Sequence, residues 1–159
     1  MKIAFSKPNP GDLGWVISMH GKIYSQDFKF NPQFEIDIAR KLVSFFDKSN
    51  DFNLFLISLV DGNRAGSIAI SKESQKIAFV NFVLVTHKFR GQGIAKRMMR
   101  EVINHAQHQH VSKLRLETYS CLKNARKLYK DLGFYCIRSN KNLQKYGQFF
   151  DQEFWELDL

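Results

Sequence analysis

Phe79-Val-Asn-Phe-Val-Leu-Val85 and the nearby Arg90-Gly-Gln-Gly-Ile-Ala95, which opens the amphipathic run 94–106, decide the fold. The apolar run reads as a strand, the glycines as a turn, and the spacing of Ile94, Met98, Val102 and Ala106 as a helix. A strand that breaks into such a turn aims several backbone N–H groups at one point. Helix N-termini carry unpaired donors and partial positive charge, so that point favours an anion. Gly91 and Gly93 allow the backbone to approach a phosphate where a Cβ would intrude. The expected ligand is phosphorylated.

Downstream of this unit, residues 113–118 alternate Leu114, Leu116 and Thr118 against Arg115, Glu117 and Tyr119, the pattern of a half-buried strand. Strand 77–85, helix 94–106 and strand 113–118 make a βαβ unit, so the two strands run parallel. Upstream, 53–60 and 65–70 read as strands joined by the turn Asp61-Gly62-Asn63, and a polar turn at 72–75 leads into 77–85. With no room for crossover helices, these three strands must be antiparallel.

Pro8, Pro10 and Gly11 mark an extended lead-in, with Asp12 expected to cap a helix running to about Tyr24. Asn31 suits an N-cap and Pro32 the first position of a second helix, whose apolar face is Phe34, Ile38, Leu42, Phe45 and Phe46. A last helix, 122–132, stops at Gly133, and Phe134 is placed for the apolar contact of a Schellman end. Residues 134–138 and 148–157 close the chain as a strand pair. The fold class expected is α/β, with a central twisted, mostly antiparallel sheet and one parallel βαβ pair, forming one domain over 1–159.

With 159 residues, 44% of them hydrophobic and 15 of them phenylalanine, the chain can bury a sizeable core and is not a disordered segment. The net charge of +9 fits attraction of an anionic ligand. No basic run is dense enough for a nucleic-acid arm, and no helix-turn-helix or zinc-finger spacing occurs, so nucleic acid is not an expected partner. Cys121 and Cys136 lack metal-type spacing and read as reduced thiols, with no metal expected. No secretory leader is evident, and the longest apolar run, 54–60, is too short for a bilayer. A cytoplasmic protein without a membrane partner is expected.

The glycine turn matches neither the Rossmann nor the P-loop pattern. It does meet Arg/Gln-x-x-Gly-x-Gly/Ala through Arg90, Gly93 and Ala95. It is followed by Ala125-Arg-Lys-Leu-Tyr129-Lys-Asp-Leu-Gly133-Phe134. On these two motifs the chain resembles the GNAT superfamily of N-acetyltransferases. Residues 11–24 and the ending Phe154-Trp-Glu-Leu-Asp-Leu159 look like the acetyltransferase half of fusions with MarR-type repressors. The repressor half has no room here, so the chain reads as a stand-alone relative without DNA binding.

The resemblance implies acetyl-CoA as co-substrate, no metal, and an amine acceptor of unknown identity. Arg90, Gly91, Gln92, Gly93, Ile94, Ala95 and Lys96 would form the turn, with the backbone N–H groups of 92–96 on the pyrophosphate. Lys96, Arg97 and Arg100 would attract the phosphates. Val83, Leu84 and Val85 would lie along the pantetheine arm as a pseudo-strand, in a splay between strands 77–85 and 113–118. A backbone N–H near Leu84 or Val85 would polarise the acetyl carbonyl. Tyr129 would donate a proton to the departing thiolate, although its apolar neighbours Ala125, Leu128 and Leu132 would equally suit a core tyrosine. Leu122 occupies the position where many members carry an asparagine on the cofactor, and Asn124 stands two residues away. Asn81 lies where many members carry a glutamate base. The base is therefore open among Glu117, Glu153 and Asp151, with Glu117 the first candidate. Trp15, Tyr24 and Phe28 would help form the acceptor pocket, which His20 could also line, and His87 reads as surface. Two alternatives stay open: a non-catalytic acyl-CoA sensor, which Asn81 favours, and a homodimer through the C-terminal strand.

Overall fold

A computed structural model describes residues 1–159. In chain order its elements are β1 (Ile3–Ser6), α1 (Asp12–Phe28), α2 (Pro32–Asp47), β2 (Leu54–Val60), β3 (Asn63–Lys72) and β4 (Ile77–Val85). They continue with α3 (Ile94–His108), β5 (Lys113–Tyr119), α4 (Lys123–Asp131), β6 (Tyr135–Lys145) and β7 (Gln148–Asp158). The strands form one sheet in the order β1-β2-β3-β4-β5-β7-β6. Only β4 and β5 pair in parallel, which bears out the mixed α/β sheet expected from the βαβ unit.

Local chemistry explains most boundaries. Asp61 (φ 49°) and Gly62 (φ 83°) both take left-handed backbone, the turn that matches strand twist in a two-residue hairpin. The Asn31 side chain accepts from the Gln33 N–H at 3.1 Å, with Pro32 at the first helical position, so α2 starts as the sequence predicts. In α4, the Phe134 N–H donates to the Tyr129 carbonyl (2.9 Å) and the Gly133 N–H to that of Lys130 (3.0 Å). Those are the two bonds of a Schellman end, with Phe134 packed on Tyr129 at 5.8 Å between ring centroids.

Three expectations need correction. Gly11, not Asp12, is the N-cap of α1. Asp12 is its first residue, and its carboxylate accepts from the Asn9 N–H (2.7 Å) and Arg64 Nε (2.8 Å). That helix also runs one turn past Tyr24, because Phe28 finds ring partners in Tyr24 and Phe30. Strand β6 extends to Lys145 through polar, solvent-facing residues that carry no apolar alternation, and it turns on Tyr146 (φ 56°) and Gly147 (φ 76°).

Each face of the sheet is covered. On one, Ile94, Met98, Met99, Val102 and Ala106 of α3 meet Ile68, Ile70, Ala78, Val80, Leu114 and Leu116. On the other, Val16 of α1 and Phe34, Ile38 and Leu42 of α2 cover Phe55, Ile57, Ala69, Phe82 and Tyr119. His20 is buried in this second layer, where it also borders the cavity described below. Burial lowers its pKa to about 4, opposing the hydrogen bond to the Val16 carbonyl and aided by the charge of Lys41.

Strand β4 carries one extra residue relative to β3. Ser67 pairs with Leu84 but Ala69 pairs with Asn81, so a bulge falls at Phe82–Val83. Phe82 takes a left-handed φ of 57°, strained for a bulky side chain. Two contacts hold it there: Ser67 Oγ donates to its carbonyl at 2.7 Å, and its ring sits among His20, Phe45 and Phe55.

Two outcomes follow for stability. A Cβ at Gly66 would stand 2.2 Å from the Leu84 carbonyl oxygen of the neighbouring strand. Gly66→Ala should therefore lose roughly 1–3 kcal/mol of unfolding free energy, read from urea midpoints; a loss below about 0.5 kcal/mol would contradict the close packing of β3 on β4. For His20, the unfolded chain takes up a proton near the ordinary histidine value of about 6.5, the folded one only near 4. Between those values the unfolded state binds more protons, so stability holds above about pH 6.5 and falls by about 3 kcal/mol on acidification to about pH 4. His20→Leu should flatten that slope.

Candidate active site

β4 and β5 hydrogen-bond from Ile77–Lys113 to Val80–Leu116 and then part. Beyond that point the inner edge of β4, from Asn81 to Val85, has no strand partner on the β5 side. Between the diverging strands lies a cavity of about 750 Å³, 20 of whose 32 lining residues are hydrophobic. Val83, Leu84 and Val85 line it from one side and Leu116, Glu117, Thr118 and Tyr119 from the other.

At one end of the cavity stands the glycine turn. Gly91 and Gly93 take left-handed φ values of 75° and 77°, and a Cβ built on either would meet nothing within 4 Å. The first backbone bond of α3 runs from the Arg97 N–H to the Gly93 carbonyl (3.1 Å), so the N–H groups of 91–96 donate to no atom of the chain. Gly93 supplies no side-chain cap, and the first turn holds no acidic residue but Lys96 and Arg97. Cations there oppose the helix dipole, so this terminus is built for an anion from outside the chain. Arg90, Gly91, Gly93, Ile94, Ala95 and Lys96 all line the cavity; Gln92 does not. Arg97 lies over the Phe5 ring at 5.9 Å instead.

The other wall is α4. Asn124 and Leu122 both line the cavity, as does Tyr129. Tyr129 is 5% exposed, held by Phe134 and Trp155, and its hydroxyl makes no hydrogen bond within the chain. Burial, helped by neighbouring Tyr24, raises its pKa, so the group stays protonated through the ordinary tyrosine range. The Schellman end fixes both its position and its depth.

Of the three carboxylates considered as bases, only Glu117 reaches the cavity. It accepts from Gln152 Nε2 at 2.7 Å and belongs to no ion pair. Glu153 is buried in a two-pronged pair with Arg126 (3.0 and 3.2 Å) and also accepts from Trp155 Nε1. Asp151 is taken by Lys141 and the Asn142 N–H. Asn81 lines the cavity, as do Tyr24 and Phe28. Trp15 does not: it falls off the stripe Val16, His20, Ile23, Tyr24 and packs under Arg64 at 5.8 Å.

Two features escaped the sequence. Asp27, at the end of α1, accepts from His87 Nε2 (2.8 Å) and pairs with Arg90 (3.0 Å), clasping the glycine turn to the first helix. Burial alone would raise that carboxyl, but the bonds from His87 and Arg90 outweigh it and hold it below its ordinary value. The other is Lys41, which α2 brings to the cavity although its sequence neighbours gave no sign of a site.

No helix is long and apolar enough to cross a membrane. N-acetyltransferase 8B of Mus musculus is 38% identical over 73 residues, covering 46% of this chain and 28% of that protein. N-acetylaspartate synthetase of Xenopus tropicalis is 32% identical over 81 residues, covering 50% of this chain and 30% of that protein. The matched stretches thus span less than a third of those curated relatives. Among solved structures, a Salmonella typhimurium protein with its cofactor acetyl-CoA superposes with a TM-score of 0.80 at 15% identity. That superposition covers 100% of this chain and 95% of the other. The family model for acetyltransferases of the GNAT family matches residues 20–134, from the cavity-lining helix α1 to the Schellman end, and the chain belongs to that family.

Proposed function

We propose that the chain is an acetyl-CoA-dependent N-acetyltransferase in which a primary amine attacks the acetyl group directly in a ternary complex. The carrying observation is the one cavity that joins the glycine turn, through Gly91 and Gly93–Lys96 with their unpartnered N–H groups, the unpaired inner edge of β4 and Tyr129. The residues fit the group: the turn suits a pyrophosphate, and the open strand edge suits an arm bearing amides. When bound, acetyl-CoA supplies an activated acyl thioester.

The turn from Gly91 to Lys96 holds the phosphates, and Asn124 and Leu122 border the same channel. Val83, Leu84 and Val85 orient the arm by backbone hydrogen bonds, and an N–H near Leu84 or Val85 donates to the acetyl oxygen as negative charge develops. Glu117 takes a proton from the acceptor ammonium, directly or through water. A C–N bond forms, the C–S bond breaks, and the Tyr129 hydroxyl gives its proton to the leaving sulfur, while the second proton shed by the nitrogen passes through water to restore the tyrosine. Holding the two reactants together supplies much of the acceleration. The nearer kinship with repressor-fused acetyltransferases rests on residues 11–24 and 154–159 alone.

Asn81, facing the cavity where a carboxylate base would serve, favours a second reading: an acyl-CoA sensor without turnover. Thiol release from acetyl-CoA against a panel of amines separates the two. Release with at least one amine is expected. Tight acetyl-CoA binding with no release for any acceptor supports the sensor instead. Tyr129→Phe should lower kcat by about 10²–10⁴-fold while acetyl-CoA binding, measured by calorimetry, stays close to that of the parent chain. Unchanged kcat would remove Tyr129 from the chemistry and leave it a core residue.

A further inference from the structure

The two helices that cover the second face of the sheet also supply part of the cavity wall. From α1 come His20, Ile23, Tyr24, Asp27 and Phe28; from α2 come the apolar Phe34 and Ile38 and, with them, Lys41. His20 is accounted for, since its Nδ1 bonds the Val16 carbonyl and its ring is packed against Tyr24 and Phe82. Lys41 is not. The nearby carboxylate Asp37 is engaged by the Tyr146 hydroxyl (2.8 Å) and Arg40, and Lys41 has no ion pair.

The remaining charges of the cavity are Asp27, Arg90, Lys96 and Lys123. Asp27 and Arg90 pair with each other, while Lys96 and Lys123 stand at the helix N-termini of α3 and α4. Neither lysine has an ion pair, but both lie at the anion end; on the side covered by α1 and α2 the charges without an ion pair are Glu117 and Lys41. Glu117 shares its strand face with Tyr119, the face that α1 and α2 cover, so both charges border the same half of the cavity. The same cavity is lined by the rings of Tyr24, Phe34, Phe82 and Tyr119. A simple cationic amine would be drawn to Glu117 but repelled by Lys41. An acceptor bearing both charges would match both ends.

We propose that the acceptor is an amine that also carries a carboxylate on a compact apolar body, as an apolar amino acid does, with its amine at Glu117 and its carboxylate at Lys41. The inference rests on the transferase reading of this cavity. Nitrogen–carbon bond formation proceeds as above, and the carboxylate takes no part in it, serving only to orient the amine. Lys41 is therefore a positioning and specificity residue.

Two matched pairs test it: L-phenylalanine against phenethylamine, and 4-(aminomethyl)benzoate against benzylamine, the second pair setting the charges further apart. With acetyl-CoA and the full chain, kcat/KM should favour the carboxylate-bearing member of at least one pair by roughly ten- to a hundredfold, the scale of one charge-assisted hydrogen bond. Lys41→Met should collapse that ratio towards one, mainly through KM, and Lys41→Arg should largely restore it. Equal or better turnover of the bare amines, or of a peptide N-terminus such as phenylalanyl-glycyl-glycine, overturns the proposal, as does a ratio that Lys41→Met leaves intact. If no amine releases thiol, the transferase reading fails, and calorimetry with coenzyme A present then decides the ligand class alone. Phenylalanine or 4-(aminomethyl)benzoate binding that Lys41→Met weakens upholds it; equal binding of the bare amines, or no binding, overturns it.

Discussion

Two parallel strands share hydrogen bonds only while they run side by side, and β4 and β5 do so for four residue pairs before a bulge ends the match. Everything at the site depends on that divergence. Had pairing continued past Val80 and Leu116, the backbone of Asn81–Val85 would be satisfied within the sheet and the cavity would be closed. The divergence leaves polar backbone groups lining an apolar cleft, a cost that folded chains carry where something else is meant to bind. Phe82 makes the bulge durable. A left-handed phenylalanine is strained, of the order of 1–3 kcal/mol, but a ring buried among three other rings returns comparable energy.

The electrostatics of the cleft point the same way. At the N-terminus of α3 the chain offers positive dipole, free N–H groups, Lys96 and Arg97, and withholds both a capping side chain and an acid. An isolated helix would be weakened by this arrangement. Across the cavity Tyr129 is kept as a neutral donor by burial, and Glu117 is held by Gln152 rather than by a cation. Asp27, by contrast, is fully engaged by His87 and Arg90. Its role is to fasten the turn to α1, so that the anion end and the helical cover of the cavity move as one piece.

The two layers differ in make-up. The α3 face holds the largely aliphatic core of Met98, Met99, Val102 and their strand partners, and Ile94, Val80, Leu116 and Tyr129 carry it to the cavity wall. The α1–α2 face is aromatic, and it is this face that meets the far half of the cavity. Rings fill volume with few rotatable bonds and tolerate a polar neighbour at their edges, which suits a wall that must be rigid and partly wet.

By itself the sequence determined the strand–turn–helix with its paired glycines, the βαβ unit, the Asn31-Pro32 helix start and the Gly133-Phe134 helix end. Each is set by contacts within a few residues: a φ that only glycine takes freely, a side chain that reaches the next turn, an apolar period. The positions of Tyr129 and of the anion turn followed because both are anchored to such local signals. Only the tertiary structure decided the bulge at Phe82, the point where β4 and β5 part, the reach of β6 through polar residues, the clasp of Asp27 on Arg90, and the presence of Lys41 and Glu117 on the wall of one cavity. These join residues far apart in the chain. Whether an exposed lysine borders a cavity depends on what packs opposite its helix, and a period counted along one helix holds no record of that.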